Sequence, residues 1–168
     1  VTLITTMNNK PVNGFKVINV NTAIEMQNTI ETEFAQTDCL IMAAAVADYR
    51  VKNVSGKKIK KTENEDNLVL ELTKNPDILS KFSQQKSTKQ IVAGFCAETE
   101  NLIENAKDKI LRKKCDYIIA NDISNPEITF GKDENEVFII DKELNVVKME
   151  KNTKYNIAKS ILEHIFNG

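Results

Sequence analysis

The pattern of apolar and polar positions predicts that strands and helices alternate along most of this chain. Short, nearly continuous apolar runs are typical of strands covered on both faces, and they occur at residues 1–5, 15–20, 39–46, 90–95 and 116–120. Apolar residues at helical spacing predict one helix after Thr22 as N-cap and another over residues 99–114. Pro76 suits the first turn of a shorter helix that ends near Phe82. This order predicts an α/β fold with a mostly parallel sheet.

Two regions depart from that alternation. Residues 48–74 contain a lysine-rich stretch, a polar turn and an alternating leucine run, which together predict a hairpin arm that protrudes from the sheet. Near the C-terminus, residues 136–141 and 146–149 predict a closing pair of strands before a helix capped by Thr153. The whole order predicts a Rossmann-like fold with helices on both faces of the sheet, in a single domain over residues 1–168.

Composition excludes several function classes. The chain has 168 residues, of which 41% are hydrophobic, and this is enough for one sizeable core. Its 23 basic and 24 acidic side chains nearly cancel, so there is no overall field to attract nucleic acid or an anionic membrane. No apolar run approaches the roughly 20 residues of a membrane span, and the first residues do not form a secretory signal. We expect a cytoplasmic protein with neither nucleic-acid nor membrane partners.

The cysteines and the single histidine do not indicate a disulfide framework, a zinc site or a catalytic role. Cys39, Cys96 and Cys115 show no spacing typical of a disulfide framework or a zinc site, so we expect buried free thiols. His164 lies in the C-terminal helical pattern, where a surface or helix-end role is favoured over catalysis.

Polar side chains follow three of the predicted strands. They are ADYR at residues 47–50, CAET at residues 96–99 and NDIS at residues 121–124. Ligands of open parallel sheets bind beyond the carboxyl ends of the strands. One polar strand end is commonly only a solvent-facing cap, whereas three together favour a binding site. The segment of residues 121–135 is either a surface loop or an active-site flap.

Two groups of lysines could balance the charge of an anionic ligand. Residues 57–61 (KKIKK) form either a phosphate-binding face or a solvated edge whose lysines prevent aggregation. Lys109 and Lys113 project from the apolar side of the predicted helix, either as snorkelling side chains or towards an anion. The sequence lacks the glycine-rich dinucleotide, Walker, zinc-protease and α/β-hydrolase motifs.

Five sequence blocks, in this order and spacing, resemble the bacterial phosphopantothenate–cysteine ligases over nearly the whole chain. They are residues 44–50 (AAVADYR), 58–61 (KIKK), 74–78 (KNPDI), 94–99 (GF and AET) and 120–124 (ANDIS). The first two are similar to the branch that uses CTP. The resemblance implies a ligase of coenzyme A biosynthesis. Such a ligase joins 4′-phosphopantothenate and cysteine through an acyl-cytidylate, and releases pyrophosphate and CMP.

The resemblance also implies roles for individual residues. Lys58 matches the family's functionally important lysine and is the expected catalytic residue. The expected nucleotide-binding residues are Met42, Ala43, Ala44, Asp48, Lys58, Pro76, Asp77, Ile78, Leu79, Phe95, Lys109 and Lys113. Mg²⁺ would bridge the phosphates, with protein ligands that stay unassigned. A homodimer is implied as well, with residues 48–74 reaching to the partner.

Two parts of the family pattern have no counterpart in this sequence. Family members carry a strand, a Gly/Ser-rich turn and a helix before the strand matched by residues 1–5. Many bacterial members are also fused to a flavin-dependent decarboxylase domain. We therefore expect a domain truncated at its N-terminus, no flavin in this chain, and no catalysis by these residues alone. A Rossmann-like NAD(P)-binding oxidoreductase domain and a non-catalytic dimerisation module remain alternative hypotheses.

Overall fold

The computed structural model describes residues 1–7, 13–59, 67–123 and 133–167. The elements in chain order are β1 (Thr2–Thr5), β2 (Lys16–Asn19), α1 (Ala23–Phe34), β3 (Cys39–Met42), β4 (Tyr49–Val51), β5 (Leu72–Lys74), α2 (Ile78–Gln85), β6 (Ile91–Glu98), α3 (Leu102–Lys113), β7 (Tyr117–Asp122), β8 (Glu134–Asp141), β9 (Val146–Thr153) and α4 (Lys154–Asn167). The chain divides into two compact units. The arm unit contains Val1–Ala35 and Ala45–Asp77, and the sheet unit contains Gln36–Ala44 and Ile78–Gly168.

In the arm unit, β1 and β2 form a parallel pair that connects to α1. The helix begins where the sequence predicts, because the Thr22 hydroxyl accepts a hydrogen bond from the backbone N–H of Glu25 at 3.1 Å. One face of α1 is buried at helical spacing, through Met26, Ile30 and Phe34. The predicted strands and the helix after Thr22 are confirmed in this region.

The hairpin arm of the same unit is also confirmed, but its paired part is short. Strands β4 and β5 pair antiparallel over three residues each, and Lys52 and Glu71 form an ion pair at 2.5 Å just beyond them. Most of the alternating leucine run lies outside β5, which begins at Leu72. Lys58 lies outside the strands, and Lys60 and Lys61 are outside the described residues.

The sheet unit is built on five strands in the order β3-β6-β7-β8-β9. The first three are parallel to one another, whereas β8 and β9 run antiparallel. The α/β prediction is confirmed with a mixed sheet. The last two strands are joined by a tight turn in which Asp141 accepts a hydrogen bond from the backbone N–H of Asn145 at 2.8 Å, and such a turn can join only antiparallel neighbours.

Helices cover both faces of this sheet. One face packs against α4, in a cluster formed by Ala93, Ile119, Val137, Ile139, Ile157, Ile161 and Ile165. Alternate residues of β6 and β7 point to the opposite face, where Gly94 and Ile118 lie against Leu79 of α2. Helix α3 contacts both α2 and β6, so it covers that second face. Among the described residues, no helix has the length and apolar character that crossing a membrane requires.

Three predicted boundaries are wrong. Strand β3 ends at Met42, and the apolar residues after it are irregular. Helix α2 starts at Ile78 and not at Pro76, because the backbone N–H of Asn75 still donates to Asp48 at 2.8 Å beside the β4–β5 pair. Helix α3 starts only after Asn101, whose left-handed φ of 50° prevents an earlier helical turn.

Candidate nucleotide-binding site

The carboxyl ends of β3, β6 and β7 meet at one edge of the sheet unit, because these strands are parallel. Met42, the last residue of β3, pairs with Gly94, and Glu98 at the end of β6 pairs with Asp122. The expected residues Ala43 and Ala44 continue from Met42 beyond the sheet. The structure therefore pairs the ends of β6 and β7, as the pattern of polar strand ends predicts, and places the end of β3 beside Gly94, four residues before β6 ends.

Ile78 and Leu79 are the first two residues of α2. Their side chains are 3% and 8% exposed, and they form part of the apolar core. A side-chain Cβ at Gly94 would overlap Leu79, so a glycine at this position allows α2 to approach β6 closely. Because both residues open α2, their backbone N–H groups are the ones that helix geometry leaves available to a ligand.

Lys109 is anchored at the same edge. Its ammonium group donates a hydrogen bond to the backbone carbonyl of Phe95 at 3.3 Å. Lys113 lies one turn further along α3, on the same side of the helix. The Phe95 side chain is half-buried and packs against the cluster on the α4 face. The structure thus places the Lys109 ammonium group at the Phe95 backbone, with the Phe95 ring directed into the core, whereas Lys113, the last residue of α3, lies further towards the amino ends of the strands.

The arm unit holds the remaining expected residues. The Asn75 side chain donates to the carbonyl of Ala47 at 2.8 Å, and its backbone N–H donates to Asp48. These bonds hold Asp48 beside the segment that continues into Pro76 and Asp77. Lys58 is exposed further along the arm, and no hydrogen bond or ion pair between described residues joins its side chain to this group.

Asn121 is a residue whose role in this site the sequence did not specify. Its Oδ1 atom is buried, and it has no hydrogen-bond partner within the part of the chain that the structure describes. Burying an amide oxygen without a donor costs about 1–3 kcal/mol. Its position near the end of β7, paired with Ala97 of β6, places this acceptor at the same edge as the expected site. The only sequence signal is its place as first residue of the NDIS strand end.

The three cysteines are free thiols, as predicted; Cys96 and Cys115 are buried, whereas Cys39 is only partly buried. Burial raises the pKa of the Cys96 thiol to about 11, an effect that Lys109 opposes and Glu98 increases. Burial likewise raises the pKa of Cys39 to about 11 and that of Cys115 to about 12. The thiols therefore stay protonated at neutral pH, and none has the thiolate character of a nucleophile.

The chain belongs to the family described as the DNA/pantothenate metabolism flavoprotein C-terminal domain, which matches residues 1–167. The predicted family is confirmed. A curated relative, the coenzyme A biosynthesis bifunctional protein CoaBC of Borreliella burgdorferi, is 38% identical over 169 residues. That match covers 99% of this chain and 42% of the relative, so the chain spans less than half of the relative's length.

Solved structures of related proteins have the same fold. The crystal structure of the C-terminal domain of a CoaBC protein matches with a TM-score of 0.78 and 30% identity, over 98% of this chain and 71% of that one. A Cab2 mutant in complex with phosphopantothenate-cysteine matches with a TM-score of 0.67 over 89% of this chain and 53% of that one. Its 16% identity means that the second likeness concerns the fold alone.

Proposed function

We propose that the protein to which this chain belongs joins 4′-phosphopantothenate to cysteine in coenzyme A biosynthesis, with CTP as co-substrate. The observation that carries this proposal is the edge formed by β3 and β6, where Met42 lies beside Gly94 and the Lys109 ammonium group is anchored to the Phe95 carbonyl. The CoaBC relative supports the pathway, because its name assigns it to coenzyme A biosynthesis. We also propose a cytoplasmic location, which that pathway supports.

In the proposed first half-reaction, a carboxylate oxygen of phosphopantothenate attacks the α-phosphorus of CTP. An oxygen–phosphorus bond forms, the bond from the α-phosphorus to the bridging oxygen breaks, and pyrophosphate leaves with the electron pair. Negative charge on the phosphoryl oxygens is stabilised by cations held in place before the reaction. Lys109 and Lys113 supply such cations from α3, and Lys58 is the proposed catalytic lysine of the arm.

In the proposed second half-reaction, the amine of cysteine attacks the acyl carbon of the cytidylate. The carbon–nitrogen bond forms as the carbon–oxygen bond to CMP breaks, and the nitrogen releases a proton. Asn121 would act here or in substrate binding by accepting a hydrogen bond from a donor on the ligand, because its Oδ1 is buried without a protein donor among the described residues.

In this proposal, Mg²⁺ enters the site bound to the phosphates of CTP. No group of three or more His, Cys, Asp or Glu side chains among the described residues could hold a metal ion. The described residues therefore do not form a complete protein site for Mg²⁺, and each step above rests on the chain's own residues. Any bound Mg²⁺ would take most of its ligands from phosphates and water.

The proposed homodimer rests on the apolar surface of the arm. Large hydrophobic side chains are exposed at Val54, Ile59, Leu68, Val69, Leu70 and Leu72. A partner subunit would remove this surface from water. We expect Val69→Lys to halve the mass measured by light scattering, whereas Tyr155→Lys, at an exposed apolar residue of α4, leaves the mass unchanged. An unchanged mass in both variants would exclude the arm as the dimer contact.

The catalytic proposal is tested with the protein at its natural full length. Lys58→Ala should abolish CTP-dependent release of pyrophosphate and leave the melting temperature unchanged, because Lys58 is exposed. Lys57→Ala is the matched control, since it removes the neighbouring charge and should retain turnover. Equal activity of the two variants would remove Lys58 from the mechanism.

A nucleotide panel separates the ligase from the oxidoreductase hypothesis. Ligands that bind the folded state raise the melting temperature according to their affinity. CTP with Mg²⁺ should stabilise the protein, and NADPH should not. Stabilisation by NADPH alone would instead support a dinucleotide-binding domain.

A further inference from the structure

A cavity lies beside Lys109 in the sheet unit, and its lining carries charges of both signs. Its volume is about 450 Å³, and the residues around it are Glu98, Asn105, Asp108, Lys109 and Arg112. Glu98 ends β6, and the other four lie on α3. A purely anionic ligand such as a nucleotide phosphate would meet two carboxylates here. The lining therefore suits a small ligand that itself carries both a positive and a negative charge.

The charged side chains of this cavity are not neutralised by ion pairs with described residues, although Lys109 donates to the Phe95 carbonyl and Glu98 accepts from Asn105. Elsewhere in the described chain, ion pairs hold lysines such as Lys16, Lys52 and Lys86. No ion pair between described residues includes Glu98, Asp108, Lys109 or Arg112, although Asp108 and Arg112 are spaced one helical turn apart. The charges of these four side chains are therefore available for ion pairs with a ligand.

Hydrogen bonds fix two of these groups in position. The Asn105 side chain donates to the backbone carbonyl of Glu100 at 3.0 Å and to the carboxylate of Glu98 at 3.4 Å. The Glu98 carbonyl also accepts a hydrogen bond from the backbone N–H of Ile123 at 3.1 Å. Glu98 is thus held at the wall of the cavity by its backbone and its side chain, which reduces the entropy lost when a ligand binds.

We infer that this cavity binds the zwitterionic amino acid of the reaction, with Glu98 receiving its ammonium group and Arg112 its carboxylate. The inference rests on the proposed function, which supplies cysteine as that amino acid. Lys109 belongs both to the cavity lining and to the expected nucleotide site, so an amino acid bound here lies next to the acyl-cytidylate. Asn105 acts as a positioning residue, because it holds the Glu98 carboxylate.

The first test separates cysteine binding from the first half-reaction. Glu98→Gln in the full-length protein should raise the KM for cysteine about tenfold or more, because a charge-assisted hydrogen bond to the ammonium group is lost. Pyrophosphate release in the absence of cysteine should stay unchanged. Glu104→Gln is the matched control, since Glu104 is an exposed glutamate of α3 outside the cavity lining. An unchanged KM in Glu98→Gln overturns the inference.

The second test uses a substrate analogue to assign Arg112. Arg112→Gln should raise the KM for cysteine about tenfold but leave the KM for cysteamine, which lacks the carboxylate, unchanged. Lys107→Gln, on α3 but outside the lining, should alter neither value. Equal effects of Arg112→Gln on cysteine and cysteamine would contradict a carboxylate contact.

The experiments distinguish an incorrect ligase function from an incorrect cysteine site. If the wild-type protein releases no pyrophosphate with CTP and phosphopantothenate, the proposed function is wrong. The cavity is then tested by calorimetric titration with cysteine alone. Binding that Glu98→Gln abolishes supports an amino-acid site on its own, and absence of binding to the wild-type protein overturns it.

Discussion

Polar side chains at the two ends of the central strands in the sheet unit differ in how many partners they have within the protein. At the amino end, Asp116 is 8% exposed; it forms an ion pair with Lys86 and accepts a hydrogen bond from the backbone N–H of Val92 at 2.8 Å. At the carboxyl end, Glu98 belongs to no ion pair among the described residues, and the buried Oδ1 of Asn121 has no described partner.

We propose that this difference separates groups that stabilise the fold from groups that bind ligands. A buried ion pair with an added backbone hydrogen bond loses several kcal/mol when one partner is removed. A side chain that forms no ion pair and at most one long hydrogen bond, such as the 3.4 Å contact of Glu98 with Asn105, can be removed with little loss of stability. The amino end should therefore respond to substitution through stability, and the carboxyl end through activity.

Asp116→Ala should have the largest effect on stability. The substitution leaves the ammonium group of Lys86 and the backbone N–H of Val92 without their acceptor, so we expect the free energy of unfolding to fall by about 3–5 kcal/mol. Urea denaturation measures the change. Glu98→Ala is the control at the opposite end of the sheet and should change stability by less than about 0.5 kcal/mol. Similar losses in both variants would contradict the division between the two ends.

Gly94→Ala should produce the next largest change. The added methyl group would overlap the Cδ atoms of Leu79 and lie 3.3 Å from Cδ1 of Ile118, so the packed Leu79 side chain must move. We expect a loss of about 1–3 kcal/mol, together with weaker stabilisation by CTP in thermal melts. Gly56→Ala is the matched control on the arm, because a Cβ there meets nothing within 4 Å. A fully stable Gly94→Ala variant would mean that α2 does not need this close approach.

Asn121→Ala should affect ligand binding far more than stability. Because the Oδ1 atom has no described donor to lose, the free energy of unfolding should change by less than about 1 kcal/mol. The stabilisation that substrates give in thermal melts should be strongly reduced. A loss of more than about 2 kcal/mol without ligand would instead indicate a structural hydrogen bond at this amide.

Sequence reasoning was most successful where structure is determined by nearby residues. Thr22 and Thr153 were predicted as helix caps, and each hydroxyl accepts a hydrogen bond from a backbone N–H three residues later, at 3.1 and 3.3 Å. Such contacts depend on a few consecutive residues. By contrast, the late start of α3 depends on the left-handed backbone of Asn101, which carries no distinctive apolar pattern.

The candidate site was predictable only in part, for the same reason. Polar strand ends predict a site at the carboxyl edge, and the parallel pairing of β3, β6 and β7 directs those ends to one edge. The close packing of Leu79, on α2, against β6 depends on Gly94, which lies 15 positions further along the chain. The lack of a partner at Asn121 and the Asn105–Glu98 contact likewise depend on tertiary neighbours that no local pattern specifies.

Lys114→Gly should give the smallest effect, and it should be stabilising. Lys114 is the C-cap residue directly after α3, at the amino end of the sheet, and it has a left-handed φ of 59°. Its backbone N–H donates to the Ile110 carbonyl at 2.8 Å. Glycine adopts this conformation without a Cβ penalty, so we expect a gain of about 0.5–1 kcal/mol with unchanged activity. Lys107→Gly, inside the same helix, should lose about 1 kcal/mol. If Lys114→Gly raised stability but lowered activity, the backbone strain at Lys114 would be required for the reaction. The amino end of the strands would then contribute to function as well as to stability.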